Sequence, residues 1–177
     1  MAIRNQPNNL NLLQAISFET SFQRIPNCSY FCQKVAIPSM VLGTAVQSTF
    51  FSDIPVEGEK LSFDPLNISF VVDEDMQNYQ EIYNWLLSIG FPDEHSQFTS
   101  LQKPPNNNQT DGMYSDISIL VNTNKAKPSY NIVFKDAFPI TLGSIEFDAA
   151  AESLDPIIVD ASFMFTSIFT IEKLVTS

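Results

Sequence analysis

The amino-acid sequence predicts one α+β domain that is mostly antiparallel β-sheet, with one α-helix packed on the sheets. Three observations lead to this prediction. Several segments alternate apolar and polar residues, which is typical of strands with one solvated face. Phenylalanine is abundant, with 15 among 177 residues, and aromatic side chains favour strands. A single segment has apolar residues at steps of three and four, as in an amphipathic helix.

The N-terminal part of the chain predicts a tail followed by two strands. Residues 1–11 are polar and rich in asparagine, so we expect a flexible tail, and residues 12–177 are expected to form the domain. Alternation of apolar and polar residues predicts the first strand from Ile16 to Gln23. Pro26-Asn27 is a turn signal, and Tyr30 to Ile37 is predicted to form the second strand.

Residues 39–60 are less regular and predict an extended arm or long hairpin. Gly43, Pro55 and Gly58 interrupt this stretch, and such residues favour turns and bends. Apolar side chains exposed on such an arm need a partner to cover them. The apolar residues of this stretch that would need such a partner are Val46, Phe50, Phe51 and Ile54.

A third strand, Leu61 to Val72, leads into the predicted helix, which covers residues 73–90. Asp73 is the expected N-cap, and the acids that follow it suit the positive end of the helix dipole. Gly90 and Pro92 are expected to end the helix. Its apolar face consists of Met76, Tyr79, Ile82, Tyr83, Leu86 and Leu87.

The C-terminal half predicts a long polar loop and more strands. Residues 93–115 contain a proline pair and an asparagine run, and loops of this length are either functional or disordered. Pro139 is expected to separate two strands, and a final strand of unusual length is predicted from Ile157 to Lys173. The strands between the loop and this final strand are predicted at Asp116 to Thr123, Tyr130 to Phe138 and Leu142 to Ala149.

The charge balance excludes several classes of function. The formal net charge is −11, whereas proteins that grip DNA or RNA need clustered Lys and Arg. The same acidity argues against binding to an anionic membrane surface. No apolar stretch approaches the roughly 18 residues of a membrane-spanning helix, and residues 1–11 lack the apolar core of a signal peptide. We therefore expect no membrane partner.

The inventory of reactive side chains predicts no enzyme, no cofactor and no metal. The sequence has no phosphate-binding glycine loop, no zinc-protease motif and no nucleophile elbow. His95 is its one histidine, so it is the one conventional base available. The acids at Asp73 to Asp75 suit a helix start better than a calcium loop. Cys28 and Cys32 would lie about 13 Å apart on a continuous strand, so we expect them to be reduced, as in a cytosolic protein.

Several segments, taken in order, resemble the tail tube proteins of contractile-tailed bacteriophages. The resemblance covers residues 12–92 and 116–173. Its motifs are Phe31-Cys32-Gln33-Lys34-Val35-Ala36-Ile37-Pro38, Val56-Glu57-Gly58-Glu59-Lys60, Phe63-Asp64 with the strand Leu66 to Val72, Asp73-Glu74, Asn84-Trp85, Phe134-Lys135-Asp136-Ala137-Phe138-Pro139 and Leu142-Gly143-Ser144-Ile145-Glu146-Phe147-Asp148.

The resemblance implies a β-sandwich or barrel-like tail-tube fold with one helix packed on the sheets. It further implies a hexameric ring, with rings stacked into a tube through which phage DNA passes without specific binding. The candidates for contacts between subunits or between rings are then Val46, Phe50, Phe51 and Ile54. The implied partners are other copies of the chain, the tail sheath, the baseplate and the tail terminator, in the virion tail and, during assembly, in the host cytoplasm. An acidic lumen would repel phosphates, and its candidate lining residues are Glu19, Glu146, Asp148, Asp160 and Glu172.

Two alternatives remain open from the sequence. A baseplate protein with the same fold would initiate or adapt the tube and would form a single capped ring. A ligand-binding β-domain of a virion, for example one that binds carbohydrate, would stay monomeric and would melt at a higher temperature with its ligand.

Overall fold

A computed structural model describes residues 12–90, 113–148, 155–166 and 168–174. Strands dominate, and two helices follow the first and fifth of them. In chain order the elements are β1 (Phe18–Phe22), α1 (Pro26–Phe31), β2 (Cys32–Ala36), β3 (Met40–Ser48), β4 (Asp53–Phe63), β5 (Leu66–Val71), α2 (Gln77–Gly90), β6 (Ser115–Asn122), β7 (Pro128–Leu142), β8 (Ile158–Phe165) and β9 (Thr170–Lys173).

Seven strands form one antiparallel sheet in the order β1-β6-β7-β8-β5-β2, and β9 also pairs with β7. Among the described strands, β3 and β4 pair only with each other and form a separate two-stranded hairpin. The predicted class, mostly antiparallel β with helix packed on sheet, is confirmed. Within the described residues the large sheet is open and no closed barrel forms. β1 and β2 end the strand order, and β9 pairs with β7 on one side alone within this part of the chain.

The prediction of one helix is wrong, because residues 26–31 form α1 where a turn and the start of a strand were expected. Pro26 stands at the first helical turn, where its missing N–H costs no hydrogen bond. Ile25 and Cys28 anchor the helix because both are buried in the core. A helix of six residues is too short for its periodicity to appear in the sequence.

The second helix, α2, begins at Gln77 and not at the predicted Asp73. Met76 has a positive φ of 54°, a backbone conformation that non-glycine residues rarely adopt and that interrupts a helix. Asp73 still accepts a hydrogen bond from the backbone N–H of Asn78, at 3.3 Å. The buried Asn78 side chain in turn donates to the carbonyl of Val71, at 2.7 Å, so it ties the start of α2 to β5.

β7 continues through Pro139, which was expected to separate two strands. Its register with β8 shifts between Pro139 and Thr141, and a bulge is a position where a strand tolerates the missing N–H of proline. β7 then ends at Leu142, so the predicted strand from Leu142 to Ala149 is wrong. Residues 143–148 have no regular secondary structure.

The long final strand is divided into β8 and β9. Both pair with β7: Phe165 lies opposite Ala137, and Thr170 lies opposite Val133. The two strands therefore follow one path along β7 with a break between them. Alternation along this strand predicts a core face, which consists of Val159, Ala161, Phe163, Phe165, Ser167, Phe169 and Ile171. The structure buries Val159, Ala161, Phe163, Phe165 and Phe169, but Ile171 is exposed, so its predicted place in the core is wrong. Ser167 lies outside the described residues.

The core lies between the large sheet and the two helices. Phe163 is fully buried, and its ring centre lies 6.0 Å from that of Phe22 and 6.0 Å from that of Trp85 on α2. The indole Nε1–H of Trp85 donates to the carbonyl of Met113, at 3.0 Å. Arg24 places its guanidinium 5.2 Å from the centre of the Trp85 ring, close enough for a cation–π contact.

Two predicted segments lie wholly or mostly outside the described residues. They are the tail of residues 1–11 and residues 93–112 of the polar loop. The rest of that predicted loop is described. Ser115, its last residue, is the first residue of β6 and is buried.

Candidate assembly surfaces

The large sheet has one covered side and one uncovered side. Core residues of α1 and α2 pack against alternate residues of the strands, such as Ile117 and Phe163. Because successive side chains of a strand point to opposite sides, the intervening residues form a second surface, here called the open face. Its members include Glu19, Lys34, Asn67, Ser69, Ser118, Leu120, Asn131, Val133, Asp160, Ser162, Met164 and Glu172.

Two of the predicted lumen acids lie in one cross-strand row of the open face. Glu19 on β1 is opposite Leu120, Leu120 is opposite Asn131 on β7, and Asn131 is opposite Glu172 on β9. Neighbouring strands are about 4.8 Å apart, so Glu19 and Glu172 are separated by roughly 14 Å. Asn122 donates to a carboxylate oxygen of Glu19, at 3.4 Å.

Asp160 lies in a more polar part of the open face. The hydroxyl of Ser69 donates to its carboxylate, at 2.5 Å, and Lys34 occupies the next strand position beyond Ser69. These residues line a shallow depression of about 310 Å³ together with Ala36 and Asn67. The carboxylate is therefore oriented by a neighbouring strand and remains exposed.

The other two predicted lumen acids, Glu146 and Asp148, do not lie on a strand. Both are exposed in the irregular segment that follows β7. The alternation of Ile145 and Phe147 with polar residues suggested a strand, but only Ile145 packs against the core, and Phe147 is exposed. The structure thus brings Glu19, Asp160 and Glu172 to the open face. Glu146 and Asp148 lie instead on the irregular segment after β7.

The β3–β4 hairpin is exposed along almost its whole length. Every residue of β3 is exposed, and β4 has only Gly58 and Phe63 partly covered. At its tip Phe50 and Phe51 are 95% and 92% exposed and touch each other edge to face, with ring centres 5.1 Å apart. Val46 and Ile54 are also exposed. All four predicted contact residues therefore lie on one projecting hairpin.

The hairpin is joined to the domain at its base and contains an internal break. Phe63 packs against the core, with its ring centre 5.8 Å from those of Phe165 and Phe169. Further out, the register shifts between Leu42 and Thr44. A Cβ on Gly58 would lie 2.3 Å from the carbonyl oxygen of Gly43, so the two backbones approach as closely as glycine alone allows.

The edge of the sheet at β1 is partly covered by α1. The backbone N–H of Phe22 donates to the hydroxyl of Ser29, at 2.9 Å, and Thr20 donates to the carbonyl of Ser29, at 3.3 Å. These hydrogen bonds hold α1 against the C-terminal end of β1. The N-terminal part of the β1 edge is the part that another strand can approach.

The two cysteines are free, but the geometry used to predict this was wrong. Cys28 lies on α1 and Cys32 is the first residue of β2, so they do not share a strand. Burial raises the pKa of the Cys28 thiol well above its usual value, and the nearby Cys32 and Glu81 raise it further. A thiol held protonated in this way is a poor nucleophile. No group of metal-binding side chains is found in the part of the chain that the structure describes.

Glu81 on α2 is a partly buried carboxylate that the sequence did not single out. Asn27 of α1 donates to its Oε1, at 2.8 Å, while Oε2 is buried and finds no hydrogen-bond partner among the described residues. Burial raises the pKa of Glu81, and Asp73 contributes in the same direction. The one signal in the sequence for the partial burial of Glu81 is its position next to Ile82. A residue that borders the apolar face of a helix is partly covered by the neighbouring side chains.

One protein-family model, described as phage tail tube protein, matches residues 4–170. The chain belongs to the phage tail tube protein family. The family predicted from the sequence is therefore confirmed, and the chain is a structural protein of the tube type. No curated protein matches the sequence. Among the described residues, no helix has the length and apolar character needed to cross a membrane.

Solved structures with the same fold include parts of contractile machines. One is a chain of the tube-terminating cap of the anti-feeding prophage, with a TM-score of 0.56 and 15% identity over 98% of this chain and 100% of that chain. Another belongs to the sheath–tube complex of the extracellular contractile injection system PVC in its extended state (TM-score 0.53, 16% identity, 92% and 93% covered). A third belongs to the anti-feeding prophage baseplate (TM-score 0.53, 12% identity, 88% and 90% covered).

Proposed function

We propose that this chain is a ring-forming subunit of a contractile phage tail tube and that the open face lines the lumen. One observation carries the proposal: a seven-stranded sheet is covered on one side by helices and bare on the other. A sheet of an isolated domain can be solvated on one side, but the family membership gives the bare side a purpose.

Ring formation would use the two free edges of the sheet. β1 and β2 end the strand order, and unpaired edges are sites where another chain adds a strand. We propose that β2 of one copy lies beside the N-terminal part of β1 in the next. Closure of a ring removes both edges, and a hexamer is the ring size that the family resemblance implies. The continuous inner wall would then consist of strands from all copies.

The lumen wall would be acidic. Glu19, Asp160 and Glu172 lie on the open face, and six copies of a chain with charge −11 carry a formal charge of roughly −66. We propose that this field repels the phosphates of phage DNA, so that the genome slides during ejection without specific binding. Glu146 and Asp148 would contribute to the same field from the segment after β7.

The β3–β4 hairpin would contact neighbouring copies through Val46, Phe50, Phe51 and Ile54. Apolar side chains so fully exposed on a projecting hairpin mark an interaction surface. The outer surface of the tube would meet the sheath, and the tube ends would meet the baseplate and the terminator. Such a subunit acts in the virion tail, is assembled in the host cytoplasm and catalyses no reaction.

The test is electron microscopy of the purified full-length chain at rising concentration. We expect hollow rings that stack into tubes, with the ring number read from end views. Single rings that never stack would favour a baseplate initiator or adaptor. A chain that remains monomeric at every concentration, alone and with its phage baseplate, would overturn the proposal.

A further inference from the structure

The β3–β4 hairpin combines apolar and negative groups. Phe50 and Phe51 are exposed at its tip. Asp53, Glu57 and Glu59 lie on β4, with Lys60 as the only base on that strand. A surface that covers this hairpin must therefore supply both apolar contact and positive charge.

A second surface has these properties and lies where β6 turns into β7. Lys125 and Lys127 are exposed in the turn, and Lys173 of β9 lies directly opposite Tyr130. Tyr130 and Ile171 are 40% and 60% exposed. We call these five residues the lysine end.

The lysine end is held by backbone hydrogen bonds. The N–H of Thr123 donates to the carbonyl of Lys127, at 2.7 Å, which closes the turn. The N–H of Leu174 donates to the carbonyl of Ser129, at 2.8 Å, which fixes the end of β9 beside β7. Because these hydrogen bonds fix its backbone, the lysine end loses little backbone conformational entropy when it binds a partner.

The lysine end is basic, whereas the chain as a whole is acidic. Only nine lysines and arginines stand against 20 acids in the sequence, and three of the nine lie in this end. The phosphates of a nucleic acid would pair with the lysines, but the sugar–phosphate backbone has no apolar surface to cover Tyr130 and Ile171. The hairpin of another copy offers both carboxylates and aromatic rings.

We propose that the β3–β4 hairpin of one copy binds the lysine end of another copy. The inference rests on the proposed ring and tube assembly and names the two surfaces that meet in it. Because the surfaces differ, the contact is heterologous and repeats from copy to copy. Apolar contact would provide the stability of this interface, and the opposite charges would select the partner and its register.

A charge exchange between the two surfaces tests the contact. One variant carries Glu57→Lys and Glu59→Lys, and the other carries Lys125→Glu and Lys127→Glu. Light scattering and electron microscopy give the protein concentration at which assembly begins. Each variant alone places like charges together, so this concentration should rise about tenfold or more. An equimolar mixture of the two variants should assemble as the wild type does, because each hairpin then finds an opposite charge.

The matched control carries Glu74→Lys and Asp75→Lys in the exposed turn before α2, which changes the net charge as much as the hairpin variant does. It should assemble at the wild-type concentration.

If the wild-type chain assembles but the equimolar mixture of the two variants does not, the contact is overturned and the proposed function still stands. A wild-type chain that never assembles would overturn both. Loss of duplex DNA binding in the lysine variant, with assembly unchanged, would assign the lysine end to DNA and also overturn the contact.

Discussion

Replacement of Gly58 by alanine should unfold the β3–β4 hairpin while the rest of the domain stays folded. The added Cβ would lie 2.3 Å from the carbonyl oxygen of Gly43 and 2.7 Å from its carbonyl carbon, whereas ordinary contact begins at 3.4 Å. The two strands must therefore separate by about 1 Å at this point. Neither glycine has a positive φ, so close approach alone requires glycine here.

The size of the effect follows from comparing the free-energy cost of the added Cβ with the stability of the hairpin. Overpacking of this kind typically costs about 1–3 kcal/mol. The hairpin is separate from the large sheet, and of its strand residues only Phe63 packs against the core. An isolated two-stranded hairpin is only marginally stable in water. The penalty thus equals or exceeds the stability of the hairpin and leaves the core unchanged.

Hydrogen exchange of the monomeric chain measures this directly. Amide protection in residues 40–62 should fall to that of an unfolded segment, which is about a 5-fold loss for a hairpin stable by about 1 kcal/mol, since each 1.4 kcal/mol is a factor of ten. The melting temperature from circular dichroism should change by less than about 2 °C, because global unfolding depends on the core. Gly43→Ala, whose new Cβ meets its nearest atom at 3.4 Å, and Gly90→Ala, which meets none within 4 Å, are the controls. Unchanged hairpin protection in Gly58→Ala would refute the reasoning.

Three further variants test the core, the partly buried carboxylate and the lumen. Trp85→Phe removes the hydrogen bond to Met113 and leaves a gap beside Phe163; urea unfolding should show a loss of about 2 kcal/mol, and a loss below 0.5 kcal/mol would contradict this packing. Because burial raises the pKa of Glu81, its ionisation costs native stability as pH rises above about 4.3, its unfolded-state value. Glu81→Gln should therefore gain stability relative to the wild type between pH 4 and pH 7, and a pH-independent difference in urea unfolding would exclude this. Neutralising Glu19 and Glu172 together, as glutamines, should slow DNA ejection from the phage, whereas unchanged ejection kinetics would disprove an electrostatic role.

The fold class could be predicted because it depends on patterns that repeat along the chain. Alternation placed Val159, Ala161, Phe163 and Phe165 on the core face, where the structure has them. The helical periodicity of residues 76–87 likewise located α2, whose last residue is the predicted Gly90. These patterns are strong because burial of one face is the dominant favourable term in folding.

The errors came from local features that tertiary contacts override. Pro26 marked a turn, yet the burial of Ile25 and Cys28 stabilises a short helix after it. Pro139 was expected to end a strand, but a bulge accommodates it within β7. The start of α2 was misplaced because Met76 adopts a positive φ that the sequence does not signal.

The sequence predicted which residues belong to the hairpin and to the acidic surface, but not how the residues of the open face are arranged across the strands. Exposed apolar residues around glycine and proline indicated a hairpin, and β3 and β4 occupy that stretch. The row that joins Glu19 to Glu172 depends on the register of β1, β6, β7 and β9. In that register Glu19 lies opposite Leu120, about 100 positions away, and Asn131 lies opposite Glu172. No local pattern specifies such pairings.

The strand order has a consequence for how the chain folds as it leaves the ribosome. β1 and β2 come early in the sequence, but β1 pairs with β6, and β2 reaches the rest of the sheet through β5 and then β8. Neither edge is fixed until most of the chain has been synthesised, and such long-range pairings form slowly. We expect nascent and truncated chains to lack a formed edge. Polymerisation would then be restricted to finished molecules, even at the high local concentration of a polysome.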